Sequence, residues 1–333
     1  MKKHINIALF VPHLGCPHQC SFCNQKSISG CVKQTTEDDI RYAADTALRS
    51  ADCSQGEIAF FGGSFTAIDR DYMISLLKTA NEYIKSGRVG GIRISTRPDC
   101  IDEEVLTVLK KYGVTAIELG CQSMDDEVLA LNKRGHDSRA VEEASRLIKD
   151  FGFELGHQMM TGLYGSTPEK DIETAKKLIS LKPDTVRIYP TVVLENTELC
   201  EKYRNGEYAP QSLDEAVELC SELLKMFSKA DIPVIRLGLH SGGNVEEGFV
   251  AGVYHPAFRE LCESKIYFDK AAALLEGVPK GNIDMTVSAK FVSQALGQKR
   301  GNIEKLADLG YKCRIIQDPT MKKYDVKIVP KGN

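Results

Sequence analysis

Short apolar runs separated by amphipathic stretches make up most of the chain. The runs at residues 5–11, 57–61, 91–96, 115–120, 154–160, 185–190 and 233–237 are rich in Ile, Val, Leu and Phe and poor in charge. That is the composition of strands covered on both faces, as in a parallel sheet. Between them, residues 36–50, 70–86, 103–112, 138–151, 168–181 and 212–229 repeat apolar side chains at helical spacing. Thr35-Thr36-Glu-Asp and Ser166-Thr-Pro-Glu each place a capping hydroxyl before acids, the signature of a helix start. Strand-then-helix units of about 30 to 45 residues predict an α/β fold whose parallel sheet curls into a partial or full (β/α) barrel. In such a fold the C-terminal ends of the strands carry the chemistry.

The alternation stops near residue 240. Ser241-Gly-Gly-Asn reads as a loop, and a stretch rich in Phe and Tyr follows. The pattern therefore predicts a barrel over residues 1–240 and a small α+β module over 241–333. Inside the module, 282–287 reads as a strand, 289–296 as a helix, 297–300 as a turn, 302–309 as a second helix, and 312–317 and 325–329 as strands. The last 47 residues hold ten Lys or Arg against four Asp or Glu, while the whole chain carries a net charge of −3. A uniformly basic nucleic-acid binder is excluded, and the tail is expected to have a partner of its own. No apolar run approaches the roughly 18 residues that span a bilayer, which excludes an integral membrane protein. Residues 1–4 lead into the run at 5–11, which reads as a first strand rather than a signal peptide. With eleven cysteines, that start places the chain in a reducing cytoplasm.

Cys16-Pro-His-Gln-Cys20-Ser-Phe-Cys23 follows the first strand directly. Three thiols on a loop at a strand's C-terminal end can converge on one soft metal centre. Cys31 stands eight residues on, and no paired ligand follows at zinc-finger spacing. Structural zinc takes four closed ligands, so three thiolates leave a position open. A catalytic zinc with a substrate water meets that description, and an iron–sulfur cluster with one open iron meets it better. Cys53, Cys100, Cys121, Cys200, Cys220, Cys262 and Cys313 lack metal spacing and read mostly as buried thiols.

The other strand ends carry polar candidates. Gly62-Gly63-Ser64 ends the second run, and two glycines let backbone approach a ligand closely. Ser95-Thr-Arg97-Pro-Asp99 ends the third; Arg97 is held extended by the proline, which aims its guanidinium out of the mouth or pairs it with Asp99. The fourth exits as Glu118-Leu-Gly-Cys-Gln122-Ser, and Asn132-Lys-Arg134-Gly-His136 follows. A helix between them can bring Gln122 and Arg134 to one face, while a solvated helix end is the plainer account of Arg134 and His136. His255, between Tyr254 and Pro256, reads as a ligand, an acid–base group or, better, an interdomain hydrogen-bonding group.

The Cys-x3-Cys-x2-Cys loop, with an aromatic before its last cysteine, resembles that of the radical SAM superfamily. The resemblance implies a 4Fe-4S cluster on Cys16, Cys20 and Cys23 whose fourth iron chelates S-adenosylmethionine (SAM). A one-electron reductant such as flavodoxin or ferredoxin would drive cleavage to methionine and a 5′-deoxyadenosyl radical, which abstracts hydrogen from a substrate. Gly62-Gly63-Ser64 is similar to that superfamily's Gly-Gly-Glu motif, with Ser64 in place of the acid. Thr96-Arg-Pro-Asp, Glu118-Leu-Gly-Cys-Gln-Ser, Arg134-Gly-His, His157-Gln-Met-Met, Ile188-Tyr-Pro-Thr and Gly206-Glu-Tyr resemble the radical SAM domain of the Elongator catalytic subunit across residues 1–265. By that resemblance Gly62, Gly63, Ser64, Ser95, Arg97, Gln122, Arg134 and Met159 would bind SAM, with Gln122 and Arg134 on its ribose and carboxylate. His157, Met159 and Tyr189 would sit near the nucleoside or substrate, His157 and Tyr189 being the catalytic candidates. Oxygen-independent coproporphyrinogen oxidases share the Gly-x-Gln-Ser and Arg-x-His pattern. The Elongator subunit spaces its first two cysteines more widely, carries Glu where this chain has Ser95, and continues into an acetyltransferase domain. Acetyl-CoA chemistry is therefore not expected to carry over.

In the tail, Leu296-Gly-Gln-Lys-Arg-Gly-Asn resembles the Gly-x-x-Gly loop of KH domains from about residue 281, with Arg300 in place of the second glycine. Gly297, Lys299 and Arg300 are the nucleic-acid candidates. A small cap sealing the barrel bottom accounts for the module equally well. The expectation is a radical SAM enzyme acting on RNA, with tRNA in first place. A porphyrinogen-oxidase-like enzyme and a non-catalytic RNA-binding protein braced by a metal site are the alternatives.

Overall fold

The computed structural model describes residues 5–11, 19–24, 34–239, 246 and 248–331. Cys16, Cys31 and the loop at 241–244 lie outside the described residues. Strands β1 (Asn6–Val11), β2 (Glu57–Gly62), β3 (Gly91–Thr96), β4 (Val114–Gln122), β5 (Glu154–Thr161) and β6 (Thr185–Pro190) lie side by side in chain order. After β7 (Val192–Leu194) leaves the sheet, β8 (Val234–Leu237) pairs with β6 as the seventh strand. Every pairing in this sheet is parallel. Its outermost strands, β1 and β8, do not pair with each other, so the sheet is a curled half-barrel.

Six crossover helices cover the outer face: Glu37–Ser50, Arg70–Lys85, Glu103–Lys111, Ser138–Asp150, Pro168–Ser180 and Leu213–Lys229. Each starts at a side chain that accepts a bond from its first turn: Thr36, Asp69, Asp102, Asp137, Thr167 and Ser212. Against these helices pack Ile58, Phe60, Ile92, Ile94, Ile117, Leu119, Leu155, Met159, Val186 and Ile188, all fully buried. Strand β1 shows the period-two rule openly. Ile7, Leu9 and Val11 are buried under helices, while Asn6, Ala8 and Phe10 face the open side of the half-barrel.

The inner face is polar low in the barrel. Arg93 Nε donates to Glu57 at 2.6 Å and its Nη2 to Glu154 at 2.8 Å, with Glu118 at 3.4 Å. Arg187 holds the other side of Glu118 at 2.7 Å. Glu57 and Glu154 open their strands, so the network closes the N-terminal end of the barrel and leaves the C-terminal end free. Burial opposes the Arg93 charge, but Glu57 foremost, then Glu154 and Glu118, hold its pKa above the usual arginine value.

Beyond β9 (Phe249–Gly252), which pairs antiparallel with β7, runs helix Phe258–Leu274. The hydrophobic pattern does not reveal it, because Cys262, Glu263 and Ser264 are buried in succession. One side packs on helix Leu213–Lys229, and another on the C-terminal segment. That segment runs β10 (Gly281–Ser288), helix Val292–Leu296, helix Gly301–Asp308, β11 (Tyr311–Asp318) and β12 (Val326–Pro330), the succession expected from the sequence. β10 is central, parallel to β11 and antiparallel to β12. Among the described residues, no helix is long and apolar enough to cross a membrane.

Replacing Arg93 with Ala should leave Glu57 in the interior without its cation, while Glu118 keeps Arg187. Urea unfolding is expected to show a loss of about 3–5 kcal/mol, the cost of breaking a buried ion pair from one side.

Candidate active site

The cysteine loop is anchored by Ser21, between two of the proposed ligands. Ser21 N–H donates to the Asn132 carbonyl at 3.1 Å, and its hydroxyl to Asn132 Oδ1 at 2.9 Å. Leu199 N–H donates to the Ser21 carbonyl at 2.8 Å. Asn132 is fully buried, and its amide donates to Val128 and Tyr164 carbonyls at 2.8 and 2.9 Å. Phe22 packs on Val193, Leu199, Cys200 and Tyr208, and Asn24 Nδ2 donates to the Glu195 carbonyl at 2.8 Å. Cys23 N–H closes a turn on the Cys20 carbonyl at 3.1 Å. Cys20 borders a cleft of about 1130 Å³ whose other walls include Lys133, Glu198, Lys202 and Glu207, and which neither Gln122 nor Arg134 lines.

Arg134 Nη1 donates to Cys20 Sγ at 3.1 Å and Nη2 to the Gly120 carbonyl at 2.7 Å. Its Nε is buried and has no hydrogen-bond partner among the described residues. Gln122 joins it through a break in register: β4 bulges between Gly120 and Gln122, and Gln122 sits at φ +65°. A Cβ on Gly120 would lie 2.9 Å from Gln122 Nε2 and 3.5 Å from Arg134 Nη2, so the glycine leaves room for both. Gln158 Nε2 reaches Gln122 Oε1 at 3.4 Å. The structure thus brings Gln122, Arg134 and Cys20 together.

Arg97 is not aimed out of the mouth. It is buried, grips Asp99 at two points of 2.9 Å, and donates to the Arg134 carbonyl, so it supports Arg134 from behind. The proline after it holds the strand extended as expected, and Asp99 then captures the guanidinium. The His136 ring stands 3.4 Å from the Cys121 carbonyl and 3.8 Å from Asp99. Burial first, and Arg134 next, push its pKa down to about 4, so it is neutral.

Gly62 adopts φ +113°, and a Cβ there would meet the Val11 carbonyl at 2.5 Å. Gly63 N–H donates to that same carbonyl at 3.3 Å. Only glycine allows β2 to lie this close to β1 just before the cysteine loop. Ser64 is buried with its hydroxyl 2.7 Å from Thr96 Oγ1, and it accepts from Arg97 N–H at 3.3 Å. Its side chain ties β2 to β3 instead of facing the mouth. Ser95 lies on the inner face, opposite Glu118 in register.

Strand β5 turns the expected side chains the other way. His157 Nε2 bonds Ser145 of helix Ser138–Asp150 at 2.8 Å, and Met159 is fully buried in the helix-facing core. The β5 side chains on the inner face are Gln158 and Met160, whose registers match Arg187 and Tyr189 on β6. A motif match fixes residues but not parity; the buried run Leu155, His157, Met159 carries the parity signal. Tyr189 does face inward, near Arg187, whose guanidinium lies 5.1 Å over the Phe61 ring. Sequence reasoning also missed Asn132, Ser21 and Arg187. In the C-terminal segment Gly297 (φ +76°) sits against Ser264 and Asn302, while Lys299 and Arg300 are exposed. His255 Nδ1 accepts from Ala257 N–H at 3.1 Å, a local turn at a helix start and not an interdomain bond.

Asn132→Ala should remove the partner of the Ser21 hydroxyl and of the Tyr164 carbonyl, while the Val128 carbonyl keeps its backbone donor. A loss of about 1–3 kcal/mol in thermal unfolding is expected, with less iron retained through gel filtration. His157, pushed from 6.5 to about 3 by burial first and Lys149 second, stays neutral in the fold. The unfolded chain then binds the proton that the folded chain refuses, so stability should fall as pH drops from 6.5 toward 3. Denaturation midpoints measured across that range should fall less steeply in His157→Gln.

The family described as the Radical SAM superfamily matches residues 10–178, and the Radical SAM C-terminal domain matches residues 183–267. A tRNA uridine(34) acetyltransferase of Methanocaldococcus infernus is 30% identical over 285 residues, covering 79% of this chain and 48% of that protein. Elongator complex protein 3 of Homo sapiens is 33% identical over 190 residues, covering 51% of this chain and 35% of its own length. The solved structure of archaeal Methanocaldococcus infernus Elp3 with its N-terminus deleted has a TM-score of 0.63 at 25% identity, covering 80% of this chain and 64% of that one. This chain spans about half the length, or less, of these curated relatives. With Gln122, Arg134 and Cys20 converging beside a Gly-Gly strand end, and a family match over half its length, the chain belongs to the radical SAM superfamily, whose cofactors are a 4Fe-4S cluster and SAM.

Proposed function

We propose that this chain acts on RNA, with tRNA as the substrate class, and that residues 241–333 form the module that meets the RNA. The observation that carries the radical reading is the Arg134 guanidinium, which touches a proposed ligand thiol at 3.1 Å and has a buried Nε with no partner among the described residues. A buried cation with an unsatisfied donor calls for an anionic partner. A cluster of thiolate ligands and a SAM carboxylate are both anionic, so the residues present fit these groups. A closed zinc site would instead need a fourth thiolate or imidazole, and the side chain that meets Cys20 is a guanidinium.

Cys16, Cys20 and Cys23 would hold the cluster, which, fed one electron from an external reductant, supplies from SAM a 5′-deoxyadenosyl radical able to remove hydrogen from a C–H bond. Arg134 would neutralise the SAM carboxylate, and the Gln122 amide, raised by its bulge, would hold the ribose. Gly62 and Gly63 would offer backbone groups to the methionyl end, with Ser95 a polar contact on the wall. Tyr189 faces the interior and is the side chain suited to meet substrate. Ser64, Arg97, His157 and Met159 act through packing and support.

Two further features support RNA. The relatives' names place them on tRNA uridine(34) and in Elongator. The turn Gln298–Arg300 is exposed between two helices and holds Lys299 and Arg300 at φ +51° and +65°, presenting both cations outward. Few phosphate contacts make binding weak and salt-sensitive.

Anaerobically reconstituted protein should bind about four irons and convert SAM to 5′-deoxyadenosine under reduction. Cys20→Ala that keeps the full iron load and SAM cleavage would refute the assignment. Lys299→Ala with Arg300→Ala should weaken tRNA retention and lower the salt slope by about one to two. Equal retention by wild type and variant at low salt would remove the module's role.

A further inference from the structure

The inner wall of the half-barrel carries three arginines and three glutamates, yet one cation is left over. Arg93 is held between Glu57 and Glu154, and Arg187 grips Glu118 with Nε at 2.7 Å and Nη2 at 2.9 Å. The third arginine, Arg236 on β8, stands opposite Arg187 in the β6–β8 ladder, so the two share a face. Arg236 Nε donates to the Gly238 carbonyl at 2.9 Å, and among the described residues its side chain makes no ion pair.

That single bond sets a direction. Gly238 lies two residues toward the C-terminal end of β8, and its N–H donates to the Ile188 carbonyl at 3.0 Å. The guanidinium is therefore folded toward the mouth, at the level of Tyr189. Like charges opposite each other on a ladder repel, and Glu118 is shared by Arg187 and Arg93 and makes no ion pair with Arg236. A half-buried, uncompensated cation in a wall of low dielectric attracts an anion far more strongly than a surface one. Across the barrel, Phe10 and Phe61 lie 6.4 Å apart and give the interior an apolar side. Polar fixation opposite an aromatic wall is how a substrate is oriented in a cavity.

We propose that Arg236, with Tyr189 at its level, binds an oxyanion of the substrate inside the half-barrel. A phosphate of RNA and a carboxylate of a small molecule offer the same pair of acceptor oxygens to the guanidinium fork. The inference deepens the proposed function and rests on it in taking the strand ends as the place of reaction.

Phenylglyoxal, which modifies accessible unpaired arginines, reads this group directly. Reconstituted protein would be treated alone, with an anticodon stem-loop RNA, and with malonate, and adducts mapped by mass spectrometry. Arg236 is expected to react while Arg93 and Arg187 do not. Its reaction should slow about tenfold at a protecting anion concentration about ten times its Kd. Protection by the RNA alone assigns a phosphate; protection by malonate alone assigns a carboxylate; protection by both leaves the oxyanion subsite standing for either. An Arg236 that does not react, or reacts equally in all three samples, overturns the inference. Arg236→Gln, checked for folding by circular dichroism, should weaken binding of the protecting anion about tenfold or more, with part of it restored in Arg236→Lys. Unchanged affinity in the Gln variant also overturns it. SAM cleavage in the same samples separates the two claims: cleavage without protection rejects this subsite alone, and protection without cleavage rejects the radical function alone.

Discussion

Ser21 donates two hydrogen bonds to Asn132, and the geometry of the site follows from that pair. Residues 19–24 of the cysteine loop have no strand partner among the described residues, so their position is set by contacts from other elements. Asn132 is suited to the task because it is fully buried, where every polar group must be satisfied. Its amide takes carbonyls from its own helix turn and from Tyr164, which leaves its Oδ1 and backbone carbonyl for Ser21. Two residues on, Arg134 delivers a cation to Cys20. One short segment after helix Asp126–Leu131 thus sets both where a proposed ligand thiol sits and what charge it faces. Arg97 and Asp99 brace that segment from the next strand end.

The half-barrel around this loop divides its interior by charge. At the N-terminal end, Arg93 and three carboxylates form a closed network whose worth lies less in net stability than in fixing one arrangement of β2 to β5. Toward the C-terminal end the pairing thins: Arg187 takes one side of Glu118, and Arg236 takes only a backbone carbonyl. Strands β1 and β8 are unjoined, and among the described residues Phe10 is exposed on a strand whose other face is buried. Open edges, a sealed floor and an uncompensated upper wall are what a large substrate reaching in from the side would require.

The parallel strands were legible because strands covered by helices on one side and by a packed barrel on the other leave short, almost uncharged runs. The helices were legible from the helical spacing of their apolar side chains, and two of their starts from caps: Thr36 and Thr167 do what their residue types promise. Helix Phe258–Leu274 was not, since it is buried on two sides and Glu263 is taken inside by Arg259 and Lys323. Strands β7 and β9, at three and four residues, are too short to show a period. In the site, Gln122 and Arg134 came from motif resemblance and do meet. His157 and Met159 came from the same source and fail by one residue, because a motif names positions while the alternation of a strand decides which face they reach. Asn132 stood beside a recognised motif with no chemistry of its own, and its part emerges only from the burial of both partners.

The same physics bears on how RNA would be held. The turn Gln298–Arg300 places two successive non-glycine residues in the left-handed region, at about 1–2 kcal/mol each. Asn302 stabilises it by donating to the Ser264 and Ala295 carbonyls, while Gly297 lies so close to Ser264 that a Cβ would sit 2.8 Å from the hydroxyl. The turn is thereby seated on helix Phe258–Leu274, whose other side packs on the barrel helix Leu213–Lys229. A rigid seat costs a bound polynucleotide less ordering than a free tail would, but two exposed cations give little affinity and no sequence discrimination. Discrimination must then come from the interior, where Gln158, Met160 and Tyr189 share one wall with Arg187 and Arg236. On the proposed division of labour the surface turn would set how often substrate arrives, and the half-barrel would set which substrate reacts.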